Sequence, residues 1–462
     1  MSNTGLGKNL SELYELYCEN GGQVTTDSRT VAAQAASHDG VGPVFFALKG
    51  ENFDGNDYAV QAIADGAAAA VVQGRLPRGV EAESEEAARY IVVKDTLAAL
   101  QELAAHHRET LGLPVIALTG SNGKTTTKEL TARILRTKYR VACTEGNLNN
   151  HIGVPLTLLS IREDDDAAIV EMGANHRGEI AALCALAKPD IGLITNVGRA
   201  HLEGFGGPEG VRLGKGELYD YLAAHGGTAF YSADDPVLAG MVSERFGKSE
   251  GTALGYTAAD LGISAVSGTE GDRLVLALSG GGETATGMTG GYNLSNVAAA
   301  MAVGRYFGIG AAEALAAVAS YVPDNNRSQV AVSARGTGNT LYMDAYNANP
   351  SSMAAALDNF LALPVAGERV AILGDMRELG DFAAAEHRAV VGRLAAWPGI
   401  RCYLVGPEFG AVVSGTENER RAYPSAEALA EALKSGEIVI RDAHVLVKGS
   451  RGIALEKLYP LL

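Results

Sequence analysis

Positive charge is the scarcer sign in this sequence: 38 Lys and Arg stand against 54 Asp and Glu, a net charge of −16. A surface of that sign repels nucleic acid and anionic membrane, which argues against polyanion binding over a broad face, while small anions can still bind where cations converge. Cysteine is scarce too. Cys18, Cys143, Cys184 and Cys402 show neither metal-ligand spacing nor a disulfide framework, which suits a reducing compartment and assigns most of them to packing. No apolar run approaches the roughly 18 residues a membrane span needs. Met1-Ser-Asn-Thr-Gly-Leu-Gly-Lys8 leads into no apolar signal core, so the expected address is the cytoplasm.

What is present is a chain of 462 residues, 47% hydrophobic and 20% charged, long enough for about three domains. Boundary signals at Thr110-Leu-Gly-Leu-Pro114 and near Pro323 give expected domains at 1–112, 113–322 and 323–462. The first reads as a small α/β unit, with strands at Val44–Leu48, Ala69–Val72 and Tyr90–Val93 and helices at Glu12–Tyr17 and Tyr58–Ala64. A further helix is capped by Asp95 and carries Leu97, Leu100, Leu103 and Ala104 on its apolar face. Its polar loops, Thr26-Asp-Ser-Arg29 and Lys49–Asp57, are on their own most simply turns.

The second domain opens on a phosphate cradle. The apolar stretch Val115–Leu118 breaks at Gly120-Ser-Asn-Gly123, and a helical pattern follows with Leu130, Ile134 and Leu135 on one side. Gly120 and Gly123 let the backbone turn tightly, so that its N–H groups and the positive end of the helix face phosphate oxygens. Lys124 would reach the terminal phosphates and the Thr125 hydroxyl would hold Mg²⁺. The usual P-loop has another glycine where this chain has Leu118, so the motif is a shortened variant.

Downstream, Ala167–Val170 delivers Glu171, and Ile191–Ile194 delivers Asn196 with His201 beyond. Ligands of open parallel sheets bind at the carboxyl ends of strands, which places Glu171 and His201 to help hold a nucleotide-associated metal. A lone Glu or His at a strand end is more often structural; the shared placement beside the phosphate loop reverses that. In the loop Thr144–Pro155, Asn147, Asn149 and Asn150 can equally bind a polar ligand or brace the fold. Gly280–Gly282 reads as a hairpin turn, and Asn293 sits near the start of an Ala-rich helix running to Tyr306, where capping is its bland role.

In the third domain, strand-like Leu341–Met343, Val370–Leu373, Cys402–Val405 and Ala443–Val447 alternate with helix-like Ser352–Phe360 and Ala383–Leu394, the pattern of a doubly wound α/β domain. Its strand ends bear Asp344 with Tyr346-Asn-Ala-Asn-Pro350, Asp375 in Gly374-Asp-Met-Arg-Glu-Leu-Gly380, and Lys448-Gly-Ser-Arg451. Three such ends together suggest a ligand face.

Over essentially the whole chain these motifs resemble the ATP-dependent Mur ligase family. The resemblance implies an α/β fold of three domains: a small α/β substrate domain, a central P-loop ATPase-like domain with a parallel sheet, and a C-terminal Rossmann-like doubly wound domain. Thr119–Thr126 resembles the family's ATP loop, so Gly120, Ser121, Asn122, Gly123, Lys124, Thr125 and Thr126 would bind ATP, together with Asn293, Arg327 of Asn325-Asn-Arg-Ser328, and Asp344. Tyr292-Asn293 stands where the family often has His-Asn. Glu171 in Glu171-Met-Gly-Ala174 and His201 match the family's Mg²⁺ ligands beside Thr125. Lys215 in Leu213–Tyr219 resembles the lysine that carries a carbamate, an oxygen ligand suited to Mg²⁺; without the resemblance it reads as a solvated lysine on a helix. Lys124, Lys215 and His201 would then be catalytic.

Asp27-Ser-Arg29 with Leu48–Gly55 resembles the UDP-binding region, giving Ser28, Arg29 and Lys49 as substrate contacts, joined by Asn147, Asn149, Asn150, Asn347 and Lys448. Asp344–Pro350 and Gly374–Gly380 point to the branch that adds D-alanyl-D-alanine to UDP-N-acetylmuramoyl-tripeptide. What this implies is a cytoplasmic, monomeric ligase of peptidoglycan precursor synthesis, using ATP and Mg²⁺ through an acyl phosphate, and so serving cell shape and division. Two other readings stand beside it. One is a related amide ligase such as a folylpolyglutamate synthase, against which the UDP-type first domain argues; the other is a nucleotide switch that makes no bond.

Overall fold

The computed structural model describes residues 9–37, 40–266, 273–323, 329–397, 399–415 and 421–462. They group into two compact units, Met1–Leu118 with Tyr139–Gly173 and Glu179–Ile191, and Thr119–Lys138 with Ala174–Gly178 and Gly192–Leu462. In the first unit, Val24–Thr25, Val44–Phe46, Ala69–Gln73 and Tyr90–Val93 form a parallel sheet in that order. Val31, Phe45, Ala59, Ala62, Ile63, Ala70 and Val72 pack into its core. The helix expected at Tyr58–Ala64 is present at Ala59–Ala64, preceded by a 3₁₀ turn, Gly55–Tyr58, whose entry Asp54 caps by accepting from Asn56 N–H. The first helix is longer than expected, Asn9–Glu19, and the second strand two residues shorter.

Asp95 caps the helix Thr96–Leu111 by accepting from Ala98 N–H at 2.9 Å, and Gly112 ends it in the left-handed region. Ala99, Leu100, Leu103 and Ala104 are buried. So is His107, whose ring bonds the Tyr17 hydroxyl at 3.2 Å and Ile161 C=O at 2.9 Å; burial holds its pKa below the usual histidine value. The Tyr17 hydroxyl also donates to Leu159 C=O, and Arg108 to Ala187 C=O and Asp190. In the same unit Val115–Thr119, Ala167–Glu171 and Val141–Cys143 run parallel, side by side in that order. The apolar residues of Val115–Thr119 and Ala167–Glu171 are buried on both faces, which is why these two strands read as continuous hydrophobic runs.

In the second unit, Ile191–Ile194, Thr228–Ser232 and Thr252–Tyr256 are neighbours. Ile263–Ala265, Arg273–Leu278 and Glu283–Thr289 make an antiparallel meander whose last turn holds Gly281 and Gly282 at positive φ, the hairpin expected there. The C-terminal sheet has the order Gln329–Val332, Thr340–Asp344, Ala443–Lys448, Glu368–Gly374, Ile400–Val405, Ala422–Tyr423, parallel except for its first pair. At one strand end the expected ligand face fails. Asp375 is buried and accepts from Glu408 and Phe409 N–H, both at 2.9 Å, at the start of the helix Pro407–Val413. Burial pushes its carboxyl above the usual aspartate value while those N–H bonds pull it down; the residue braces a helix. Among the described residues none of the four cysteines is in a disulfide, Cys184 and Cys402 are buried, and no helix is long and apolar enough to cross a membrane.

Leu100→Ala should cost about 2–5 kcal/mol in urea unfolding and Asp95→Ala about 1 kcal/mol; a larger loss at the cap than at Leu100 would contradict this division of core and cap.

Candidate active site

The phosphate loop takes its shape from the residues beside it. Gly120 has φ +140°, and a Cβ there would lie 2.0 Å from Thr195 Oγ1; Gly123 has φ +78° and opens the helix Lys124–Leu135. Ser121 N–H donates to Asn196 C=O at 3.0 Å and Asn122 N–H to Asn196 Oδ1 at 3.1 Å. Asn122 C=O accepts from Thr195 Oγ1 at 2.6 Å and Asn196 Nδ2 at 3.0 Å. Thr195 was missed from the sequence; its signal is a hydroxyl residue directly after the strand Ile191–Ile194. Lys124 folds back so that its Nζ donates to Gly120 C=O at 2.7 Å, while Thr125 is buried and Thr126 half-buried.

Asn293 does more than begin a helix. It is buried, its Nδ2 donates to Thr289 C=O at 2.6 Å, and its Oδ1 accepts from Asn296 Nδ2 at 2.8 Å. Asn296 in turn accepts from Thr127 Oγ1 at 3.1 Å, joining Asn293–Tyr306 to the helix that follows the phosphate loop. Tyr292 occupies the cap position. Arg327 lies outside the described residues.

Glu171 ends its strand 1% exposed. Its Oε1 accepts from Asn149 Nδ2 at 2.8 Å, and its Oε2 is buried with no hydrogen-bond partner among the described residues. A buried carboxylate oxygen left in that state costs free energy unless a cation meets it, so Glu171 fits Mg²⁺. Among the described residues no group of three His, Cys, Asp or Glu is gathered for a metal. Of the neighbouring asparagines, Asn149 orients Glu171, and Asn150 Oδ1 accepts from Ile152 and Gly153 N–H at the entry of Gly153–Leu159. Asn147 C=O accepts from Asn149 N–H.

His201 has a left-handed backbone, φ +53°, and its Nδ1 pairs with the Glu378 carboxylate. That bond holds the Glu378 carboxyl below the usual glutamate range. Glu378 was also missed, although it lies inside the Gly374–Gly380 motif; it too has positive φ, +63°, a costly conformation for a side-chain-bearing residue. Lys215 overturns its solvated reading. It is 1% exposed inside the helix Pro208–Ala224, with Nζ donating to Ala174 C=O at 3.2 Å and lying 5.1 Å from the centre of the Phe205 ring.

Asp344 and Lys448 face each other in register on adjacent strands and form one ion pair, 2.5 Å apart, with Lys448 1% exposed and also donating to Asn347 C=O at 3.3 Å. A cavity of about 210 Å³ is lined by His201, Asn347, Asn349, Arg377, Glu378 and Arg451, among others. The Arg451 guanidinium lies 5.5 Å from the centre of the Tyr346 ring.

In the first unit, Arg29 is exposed and held bidentately by Asp27, at 2.8 and 2.7 Å, with Ser28 opening the same turn. Lys49 lines a different cavity of about 730 Å³, with Asp54, Asn56, Arg75, Arg78 and Lys94. Neither Ser28 nor Arg29 lines it.

Three family models match successive stretches of the chain: "Mur ligase family, catalytic domain" over residues 23–108, "Mur ligase middle domain" over 118–304, and "Mur ligase, glutamate ligase domain" over 326–454. The UDP-N-acetylmuramoyl-tripeptide–D-alanyl-D-alanine ligase of Bacillus subtilis is 35% identical over 429 residues, 90% of this chain and 89% of the relative. The chain belongs to the Mur ligase family. Among solved structures, this Mur ligase is similar to MurF of Acinetobacter baumannii, with TM-score 0.78, 31% identity and coverage of 94% and 92% of the two chains. It is also similar to MurF of Thermotoga maritima in complex with ADP, with TM-score 0.76, 26% identity and coverage of 95% and 96%. It is thus an α/β protein of the three-domain Mur ligase fold, and an ATP-dependent ligase that forms C–N amide bonds and uses ATP and Mg²⁺. The switch that makes no bond is set aside.

Gly120→Ala should weaken ADP binding to the Mur ligase at least about tenfold in calorimetry, because the new Cβ collides with Thr195 and the backbone conformation favours glycine. Unchanged affinity would contradict the loop geometry.

Proposed function

We propose that this ligase joins the amine of D-alanyl-D-alanine to the peptide carboxylate of UDP-N-acetylmuramoyl-tripeptide, in the cytoplasm and as a monomer, with domains at 1–112, 113–322 and 323–462. The substrates are those in the name of the Bacillus subtilis relative. The observation that carries the reading is the cavity around His201. Arg377 and Arg451 offer guanidinium groups to a free carboxylate, Glu378 offers a carboxylate to an ammonium group, and about 210 Å³ suits a dipeptide of small residues.

A carboxylate does not react with an amine at useful rates. Its oxygen therefore first takes the γ-phosphoryl group of ATP, forming an acyl phosphate and ADP. The dipeptide amine then attacks the acyl carbon, loses a proton, and inorganic phosphate leaves. Phosphoryl transfer is mostly positioning and charge neutralisation. Gly120, Ser121, Asn122, Gly123 and Thr126 present the loop, Lys124 and Arg327 meet phosphate charge, and Asn293 and Asp344 bound the nucleotide. When bound, Mg²⁺ supplies further charge neutralisation; Thr125, Glu171, His201 and a carbamylated Lys215 would hold it. Burial of Lys215 disfavours its ammonium and so favours the neutral amine that carbamate formation requires. Ser28, Arg29 and Lys49 would take the uridine diphosphate end, Asn147, Asn149 and Asn150 the adjoining chain, and Asn347 the dipeptide. Lys448 acts on the dipeptide site by holding Asn347 C=O.

With purified protein, phosphate release should require both UDP-tripeptide and D-alanyl-D-alanine, and Lys124→Ala should lower turnover at least about a hundredfold while the fold is retained. Phosphate release that ignores the dipeptide would refute the reaction. Lys215→Ala should be nearly inactive and partly restored by small added carboxylates; full activity in that variant would remove the carbamate.

A further inference from the structure

Asn349 carries two sets of hydrogen bonds. Its Oδ1 accepts from Ser352 N–H at 2.9 Å and its own N–H donates to the Ser352 hydroxyl at 3.1 Å, a reciprocal capping box on the thirteen-residue helix Pro350–Ala362. With the oxygen committed to the cap, the amide nitrogen must point away from the helix. It donates to Asn122 Oδ1 at 2.7 Å, in the middle of the phosphate loop. One residue along, the Ser351 hydroxyl accepts from Arg199 N–H at 2.7 Å, in the segment that follows Asn196. The approach is close: a Cβ on Gly198 would lie 2.7 Å from Ser351 Oγ and 3.2 Å from Asn122 Nδ2.

The cap alone does not account for this arrangement. Serine caps a helix about as well as asparagine, but its hydroxyl is too short to span to Asn122. Asn122 is already fixed through its backbone, by Asn196 and Thr195. What Asn349 adds is the orientation of the Asn122 side chain, in the loop that opens the helix Lys124–Leu135. Asn349 also lines the cavity that contains Arg377, Glu378 and Arg451.

We propose that Asn349 is a positioning residue for the nucleotide, holding the phosphate loop in its binding conformation through the Asn122 side chain while capping its own helix. The proposal extends the ligase reading but is tested by nucleotide binding, which does not depend on that reading. The full-length protein is titrated calorimetrically with ADP in the presence of Mg²⁺, and ATP KM is measured beside it. Asn349→Ser keeps the cap and should leave the melting temperature unchanged while raising the ADP Kd about five- to tenfold, the scale of one net hydrogen bond. Asn122→Ala approaches the same bond from the loop, so a folding failure at position 349 would leave the test intact. It should cause a loss of similar size, and the double variant should be no weaker than the weaker single variant. An unchanged Kd in Asn349→Ser or in Asn122→Ala, or losses that multiply in the double variant, would reduce Asn349 to a helix cap and overturn the proposal. Failure of the unaltered protein to bind ADP would also overturn it, whereas the ligase reading fails on phosphate release that ignores the dipeptide.

Discussion

The conformation of four residues, Gly120 to Gly123, depends on a two-residue strand extension, Thr195-Asn196. A loop shaped to meet an anion has to be braced from outside, and here two of its own N–H groups, those of Ser121 and Asn122, take part in the brace. Asn196 accepts from the N–H groups of Ser121 and Asn122 and, together with Thr195, donates to Asn122 C=O, and the hydroxyl of Ser121 and the backbone of Gly198 close the remaining gap. The glycines let the chain come close enough for these bonds to form.

Some of the buried charges are of a kind proteins rarely keep without a partner. Lys448 is matched by Asp344 across a strand pair, and Lys215 is met by a carbonyl and an aromatic face. Glu171 is the exception, with one oxygen satisfied and the other not. Desolvation makes such a state costly, which is why the orphaned oxygen carries more weight for Mg²⁺ than the presence of a carboxylate at a strand end.

The fold was largely legible because strands buried on both faces appear as apolar runs, and the helices carry caps and glycine stops. Tyr90–Val93, Asn293–Tyr306 and the cap at Asp95 stand where periodicity and capping chemistry put them. The candidate site was legible where its chemistry is local, as at Gly120–Lys124. Long-range pairing was not. Nothing near Asp375 in the chain reveals that its carboxylate turns inward to Glu408 and Phe409 N–H, and nothing near Lys215 reveals that Phe205 and Ala174 enclose it. Glu378 could be placed in a motif but not against His201, because 177 residues separate the two in sequence.

The buried Tyr17–His107 cluster bears on how the molecule can be divided. Both side chains seek carbonyls beyond the Gly112–Pro114 turn, at Leu159 and Ile161, and Arg108 reaches Ala187 and Asp190. A fragment excised at that turn would therefore carry a phenol, an imidazole and a guanidinium stripped of their acceptors on its newly bared flank. The last helix of the first segment thus depends on residues beyond the turn, and the natural place to cut the gene is not where the sequence punctuates itself.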